Sequence, residues 1–270
     1  MPPHRSALDN GIDSLFRYQR YNSDHLRTAI RDRLVRFARP SEFNDPWDCK
    51  PLFHVPEDEA GVRALVAYMY QASVNQTPNF DRAERAARAA HYLQRPNDLR
   101  KDMSDGSAEM CAQMDKRYRL YCLSTKPDCP LMWAHYADRH RGVCLEFNVK
   151  SYDFCSATQV SYSADYPRYS LDDDTDLSPF YSKSADWAYE EEYRLVAQEE
   201  NDALGSGTLM TRNGIYQYST GALASIIIGC CTPSDAAQEI SDMAGAAGVL
   251  VRRATRMPNR YALAIDPSIR

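Results

Sequence analysis

The sequence predicts an α+β fold: a mixed, mostly antiparallel central sheet with flanking helices and a helical insertion. Three observations lead there. Short apolar or alternating runs recur from Ser14 to Ile265 with the spacing of strands. Helical pieces of unequal length separate them, so no regular strand-helix repeat develops. From 56 to 115 the chain changes to stretches of high helix propensity without clustered chemistry.

In chain order, Met1 to Asn10 is polar and expected to fray, and Ser14-Leu-Phe-Arg-Tyr18 alternates as a first strand. Asn22 or Ser23 is placed to cap a helix from Asp24 to Arg33 whose inner face carries Leu26 and Ile30. Arg33 to Ala38 reads as a second short strand. In Arg39 to Asp48 two prolines forbid a continuous helix, and Asn44-Asp45 can form an Asx turn. That loop is either a rigid structural knot or the rim of a site.

The 56–115 segment resolves into helices over Ala60 to Ser73, Asp81 to Tyr92 and Pro96 to Gln113, packed on one side of a sheet. Asp115 to Ser124 is the next strand, and Leu131 to Asp138 one or two helical turns that Gly142 ends. Val143 to Asn148 and Gln159 to Ser163 are strands. Asp172 to Asp176 holds four aspartates but no glycine for a calcium loop's bend, so a solvated loop is the better reading. If Tyr189 to Ala197 is a strand, Glu190, Glu192 and Arg194 share one face. Ile215 to Tyr218 and the apolar Ala224 to Cys230 follow. A helix capped by Ser234 runs to Ala246, and strands near Val249 to Ala254 and Tyr261 to Ile265 close the chain.

Composition narrows the function. A formal charge of −5 argues against broad binding to a phosphate backbone, which needs a clustered basic excess. Arg17, Arg20, Arg27, Arg31, Arg33, Arg36 and Arg39 nevertheless crowd the first forty residues, as a local basic groove or as the solvated face of a helix. No long apolar run supports a membrane span or a signal peptide, and the expected location is cytoplasmic. The eight cysteines show no CxxC spacing. Cys122 and Cys129 are spaced too widely to join His135 and His140 in a usual zinc site, and no metal is expected. Cys144, Cys230 and Cys231 read as small core residues of apolar strands.

Three phrases concentrate chemistry: Phe37 to Asp48 (F-A-R-P-S-E-F-N-D-P-W-D), Cys122 to Phe147, which contains L-M-W-A-H-Y-A-D-R-H-R-G-V-C-L-E-F, and Lys183 to Arg194 (K-S-A-D-W-A-Y-E-E-E-Y-R). With the early L-F-R-Y and the late I-I-I-G they resemble the DUF2971 family of bacterial and phage proteins. The resemblance implies a single DUF2971-like α+β domain over 1–270, with 56–115 an insertion that carries no family phrase. The element order is also similar to that of DarT-like ADP-ribosyltransferases, in which an early strand carries a NAD-binding residue and a late strand the catalytic glutamate.

That second resemblance implies an NAD-dependent ADP-ribosyltransferase or NAD glycohydrolase, as a toxin or anti-phage effector, with NAD as substrate and a protein or nucleic-acid acceptor. Glu192 is then the catalytic carboxylate and Glu190 its alternative; Arg17 or Lys183 binds phosphate, and Trp133 and Tyr136 stack the nicotinamide or adenine. Tyr18, Asn44, Asp45 and Arg194 complete the candidate nucleotide-binding set. Each role has a structural counterpart: Glu190, Glu192 and Arg194 as a partly buried ion-pair network, Trp133 and Tyr136 as core aromatics.

Two other functions compete. A hydrolase or nuclease would use His135 or His140 with a glutamate as acid and base. A non-catalytic nucleotide- or protein-binding module would keep the pocket without turnover. All three readings require that Trp133, His135 and Tyr136 meet Asn44 or Asp45 and Glu190 or Glu192 in space.

Overall fold

Alternation along Ser14–Gln19 (β1) sends Leu15 into one apolar cluster and Phe16 and Tyr18 into another, so β1 lies inside the sheet with both faces covered. The computed structural model describes residues 5–51, 55–76, 81–166, 177–199 and 209–266. The acidic run Asp172 to Asp176 lies outside the described residues.

Val143–Asn148 (β4) pairs antiparallel with β1 on one side and with Leu223–Ile228 (β11) on the other. Ile226, Ile227 and Ile228 are all buried, as a strand covered on both faces requires. Helix Ser234–Ala246 (α6) carries the chain over to Leu250–Arg256 (β12), parallel to β11, and Leu263–Ile265 (β13) closes that edge antiparallel. Ser234 is the first helical residue and makes no cap; Pro233 occupies the cap position without a side-chain bond. A proline with fixed φ leads the chain into the helix there.

On the other side of β1, Tyr118–Ser124 (β3) pairs antiparallel with Glu192–Glu199 (β8) over seven positions, yet meets β1 only at Phe16 and Ser124. The sheet is therefore split between β1 and β3. Ala38 fills part of the gap, exchanging two 2.8 Å backbone hydrogen bonds with Leu120. The Arg17 guanidinium fills another part, donating from Nη1 to the Cys122 carbonyl at 2.9 Å.

Thr158–Gln159 (β5) and Leu209–Thr211 (β9) share the outer edge of β8. Two small ribbons flank the sheet: Leu34–Arg36 (β2) with Ile215–Gln217 (β10), and Ser161–Ser163 (β6) with Ser182–Ser184 (β7). The single strand expected over Gln159 to Ser163 is divided because buried Val160 bonds the Glu192 carbonyl and turns the chain from β8 towards β7.

Asn22 accepts from the His25 amide and starts Ser23–Arg27 (α1), which widens into a π turn over Thr28–Asp32. Glu59–Gln76 (α2), Arg82–Gln94 (α3) and Pro96–Arg117 (α4) bury their own cluster around Val62, Val66, Tyr92, Leu99 and Met103. Their helices run longer than propensity predicts, because tertiary burial extends helices past weak formers. Met114 of α4 packs with Cys49, Leu120 and Phe180, joining this layer to the sheet. Among the described residues no helix is long and apolar enough to cross a membrane.

Pro130–Tyr136 (α5) ends in three consecutive left-handed residues, Asp138, Arg139 and His140, with φ of 45°, 55° and 66°. For non-glycine residues such a run is costly. Gly142 and Gly229 allow it: a Cβ on Gly142 would strike the Gln19 carbonyl and the Ala137 backbone, and one on Gly229 the His140 carbonyl.

A candidate site around a buried carboxylate cluster

The strand expected from Tyr189 begins three residues later. Ala185–Glu190 is a 3-10 turn, and Glu191 is left-handed at φ 43° before β8 starts at Glu192. Glu190 and Glu192 therefore do not share a strand face. Their carboxylates meet because the kink at Glu191 folds the turn back over the start of β8, where the Lys183 ammonium lies 2.5 Å from Glu190 Oε2 and 3.0 Å from Glu192 Oε2.

Arg194, fully buried on β8, is held by two carboxylates in bidentate fashion. Its Nε and Nη2 reach Glu192 at 2.7 and 2.9 Å, while Nη1 and Nη2 reach Asp48 at 2.8 and 2.6 Å. Nη1 also donates to the Phe180 carbonyl at 2.8 Å. A planar fork between two carboxylates is the arrangement that repays burial of a guanidinium best. Asp48 is positioned by the 39–51 loop: Pro40–Glu42 makes a 3-10 turn, Asp45 accepts from the Trp47 amide in an Asx turn, and Cys49 is left-handed at φ 57°.

The two glutamates titrate in opposite senses. Burial works against ionising Glu192, but Arg194 and Lys183 override it and hold its pKa well below the usual carboxylate range. Burial raises Glu190, and although Lys183 pulls it down, the neighbouring Glu192 charge adds to the rise and the net shift is upward. Lys183 is held strongly protonated: burial would lower it, and Glu192 and Glu190 more than reverse that. Three carboxylates against two cations leave one negative charge in excess, and Glu190 is the group whose proton adjusts it.

Glu190 faces a cavity of about 350 Å³ that occupies the split between β1 and β3. Phe16, Arg17 and Tyr18 form one wall, Phe43 and Asn44 another, and Met132, His135 and Tyr136 a third. The Tyr136 hydroxyl donates to Glu190 Oε1 at 2.6 Å, and the Asn44 side chain bonds that hydroxyl. Arg17 and exposed Arg20 stand at the cavity as cations.

Of the residues read from the sequence, Arg17, Tyr18, Asn44, His135, Tyr136, Lys183, Glu190, Glu192 and Arg194 line this cavity. Trp133 does not: it is fully buried, donates to the Pro127 carbonyl at 2.8 Å and meets Tyr18 edge to face. Asp45 instead lines a separate cavity of about 300 Å³ that shares Asp48 and Lys183 with this one. Lys183 and Arg194 are saturated by carboxylates, which leaves Arg17 and Arg20 as the cations for an anion. His140 is the last residue of the left-handed turn, its carbonyl bonded to the Cys231 amide. Both Cys230 and Cys231 lie past the end of β11; half-buried Cys230 packs against the Phe16 and Tyr18 cluster, whereas Cys231 is exposed rather than in the core.

Asp48 and Phe43 carried no individual role in the sequence reading, and Arg20 entered it only within the early run of arginines. Asp48 closes the F-N-D-P-W-D loop, and a buried arginine on β8 requires a second acid from elsewhere in the chain. That requirement was the available signal.

The fold and cluster define an α+β protein whose sheet is parted by a cavity with a proton-adjusting carboxylate on its wall. Residues 132–195 match the family model described as a protein of unknown function, DUF2971. The matched segment contains Tyr136, Lys183, Glu190, Glu192 and Arg194, whereas Arg17 and Asp48 lie outside it. No curated protein and no solved structure matches the chain.

Proposed function

We propose that the protein cleaves the glycosidic bond between nicotinamide and ribose in NAD, transferring ADP-ribose to a protein or nucleic-acid acceptor or to water. The observation that carries this reading is Glu190: a carboxylate with a raised pKa, held by Tyr136 and Lys183 on a cavity wall, with Arg17 and Arg20 at the same cavity.

When the bond from C1′ to the pyridinium nitrogen breaks, its electron pair goes to nicotinamide, which leaves neutral, and the ribose becomes oxocarbenium-like. A carboxylate beside it stabilises that charge and takes the proton from the incoming hydroxyl or water. Both carboxylates have partners on each oxygen, but Glu190 is met by a neutral hydroxyl and one cation, Tyr136 and Lys183, whereas Glu192 is fixed by two cations, Arg194 and Lys183, so Glu190 suits this role better. Arg17 and Arg20 supply charge for the pyrophosphate, and Phe43 and Tyr136 offer ring surfaces for the base. Glu192, Arg194 and Asp48 act as the positioning frame.

The test is nicotinamide release from NAD by the purified protein, alone and with protein, DNA and RNA acceptors. Release that disappears in Glu190→Gln, with the fold intact, is the expected result. NAD left unchanged with every acceptor would sink the proposal and favour a nucleotide-binding module without turnover.

A further inference from the structure

A larger concavity, of about 590 Å³, lies between the π turn, the loop before β11 and the end of α6. Its Ile30 and Tyr218 belong to the apolar cluster on the Leu15 side of the sheet, whereas the Glu190 cavity is walled by Phe16, Tyr18 and Met132 of the other cluster. The two cavities share no lining residue.

Its lining has two chemistries. Leu223, Met243 and Val249 give a partly buried apolar floor, and every charged side chain around it is an arginine: Arg27, Arg31 and Arg33. Arg31 is paired with Asp32 at 2.8 Å, and Arg27 lies near Asp24 and Glu239. Arg33 differs. Among the described residues no carboxylate pairs with it; its Nε donates to the Tyr218 carbonyl at 3.2 Å, and its side chain lines the cavity.

The backbone at Arg33 points the same way. It is the residue after the π turn, left-handed at φ 57°, a position where glycine or asparagine carries the least cost. An arginine there bears conformational strain that its backbone role does not require.

We propose that this cavity is a second ligand site, taking a small organic anion whose apolar body lies on Leu223, Met243 and Val249 and whose head group pairs with Arg33. Its volume falls within the range of small-molecule sites. A carboxylate and a phosphate monoester share the head-group chemistry, and the guanidinium fork receives either through paired hydrogen bonds.

Calorimetric titration of the full chain with octanoate, octyl phosphate and octanol tests this. At least one of the two anions should bind, and octanol should bind at least about tenfold more weakly, a difference set by the charged contact; which anion binds more tightly identifies the head group. Arg33→Asn, which keeps a residue tolerant of the left-handed conformation, should weaken anion binding about tenfold or more. Met243→Trp, which fills the floor, should abolish it, and serves alone if the Arg33 variant does not fold. Glu190→Gln should leave it unchanged. Octanol binding as tightly as both anions, no binding of either anion, full binding by Met243→Trp or by folded Arg33→Asn, or loss in Glu190→Gln would each overturn the proposal.

Discussion

The Lys183 ammonium stands 2.5 Å from Glu190 and 3.0 Å from Glu192, so one cation joins a carboxylate whose pKa is raised to another whose pKa is depressed. Removing it by Lys183→Met leaves Glu192 and Asp48 to Arg194 alone and Glu190 without a cation. Loss of one partner from a buried ion group costs about 3–5 kcal/mol, and that is the expected drop near neutral pH. The loss should shrink towards acid pH, where Glu190 takes a proton. Denaturant melts of the variant and the parent at pH 5 and pH 8 measure it; an equal loss at both would refute the coupling.

The raised Glu190 pKa has its own pH signature. In the folded state this group holds a proton at a pH where the unfolded chain, titrating near the ordinary glutamate value of 4.5, has lost it. Its contribution to stability is thus full below about 4.5 and is lost as pH rises through the folded pKa. Glu192 has the opposite sign: its contribution is present above 4.5 and is lost as pH falls. Stability of the parent minus that of Glu190→Gln should therefore decrease as pH rises from 4 to 8. A difference that increases over that range would contradict the assignment.

How far this was legible in the sequence depends on the range of the forces involved. Strands such as Ser14–Gln19 and Val143–Asn148 were readable because alternation and burial act within a few residues. The grouping of Asn44, Tyr136 and Glu190 was anticipated as three walls. The route by which Glu190 arrives was not, because left-handed Glu191 is held by Thr125 and Lys126 and Glu190 by Tyr136, all distant in the chain. Trp133 as a nucleotide platform rested on the DarT-like resemblance, and its structural counterpart, a core aromatic, is the one the chain adopts. Burial of its ring against Tyr18 is a tertiary outcome that no local pattern encodes.

Glu192→Gln should behave as a structural lesion. Arg194 Nε donates to one carboxylate oxygen, and Arg194 Nη2 and Lys183 donate to the other. Whichever way the amide turns, its NH2 faces a buried donor, at a cost of about 3–5 kcal/mol. Glu190→Gln disturbs fewer contacts and should lower any NAD cleavage by about 10²–10⁴-fold, the usual contribution of an acid or base, with a much smaller stability change. Thermal melts beside activity separate the two; equal destabilisation by both would remove the distinction between frame and reactive group.

Arg17 connects the split sheet to the cavity. Its Nη1 satisfies the Cys122 carbonyl where β1 and β3 part, and its guanidinium lies over the Tyr121 ring, 5.0 Å from the centroid. Arg17→Met keeps the stem but leaves that carbonyl without its partner, a cost of about 1–3 kcal/mol. If the guanidinium also holds the substrate's pyrophosphate, the variant loses ground-state binding and transition-state binding alike, so KM should rise while kcat changes little. Arg17→Lys restores the charge but not the planar fork, and should recover part of the KM and less of the stability. Steady-state kinetics of both variants, with melts in parallel, decide the matter: a fall in kcat at constant KM would place Arg17 outside substrate binding.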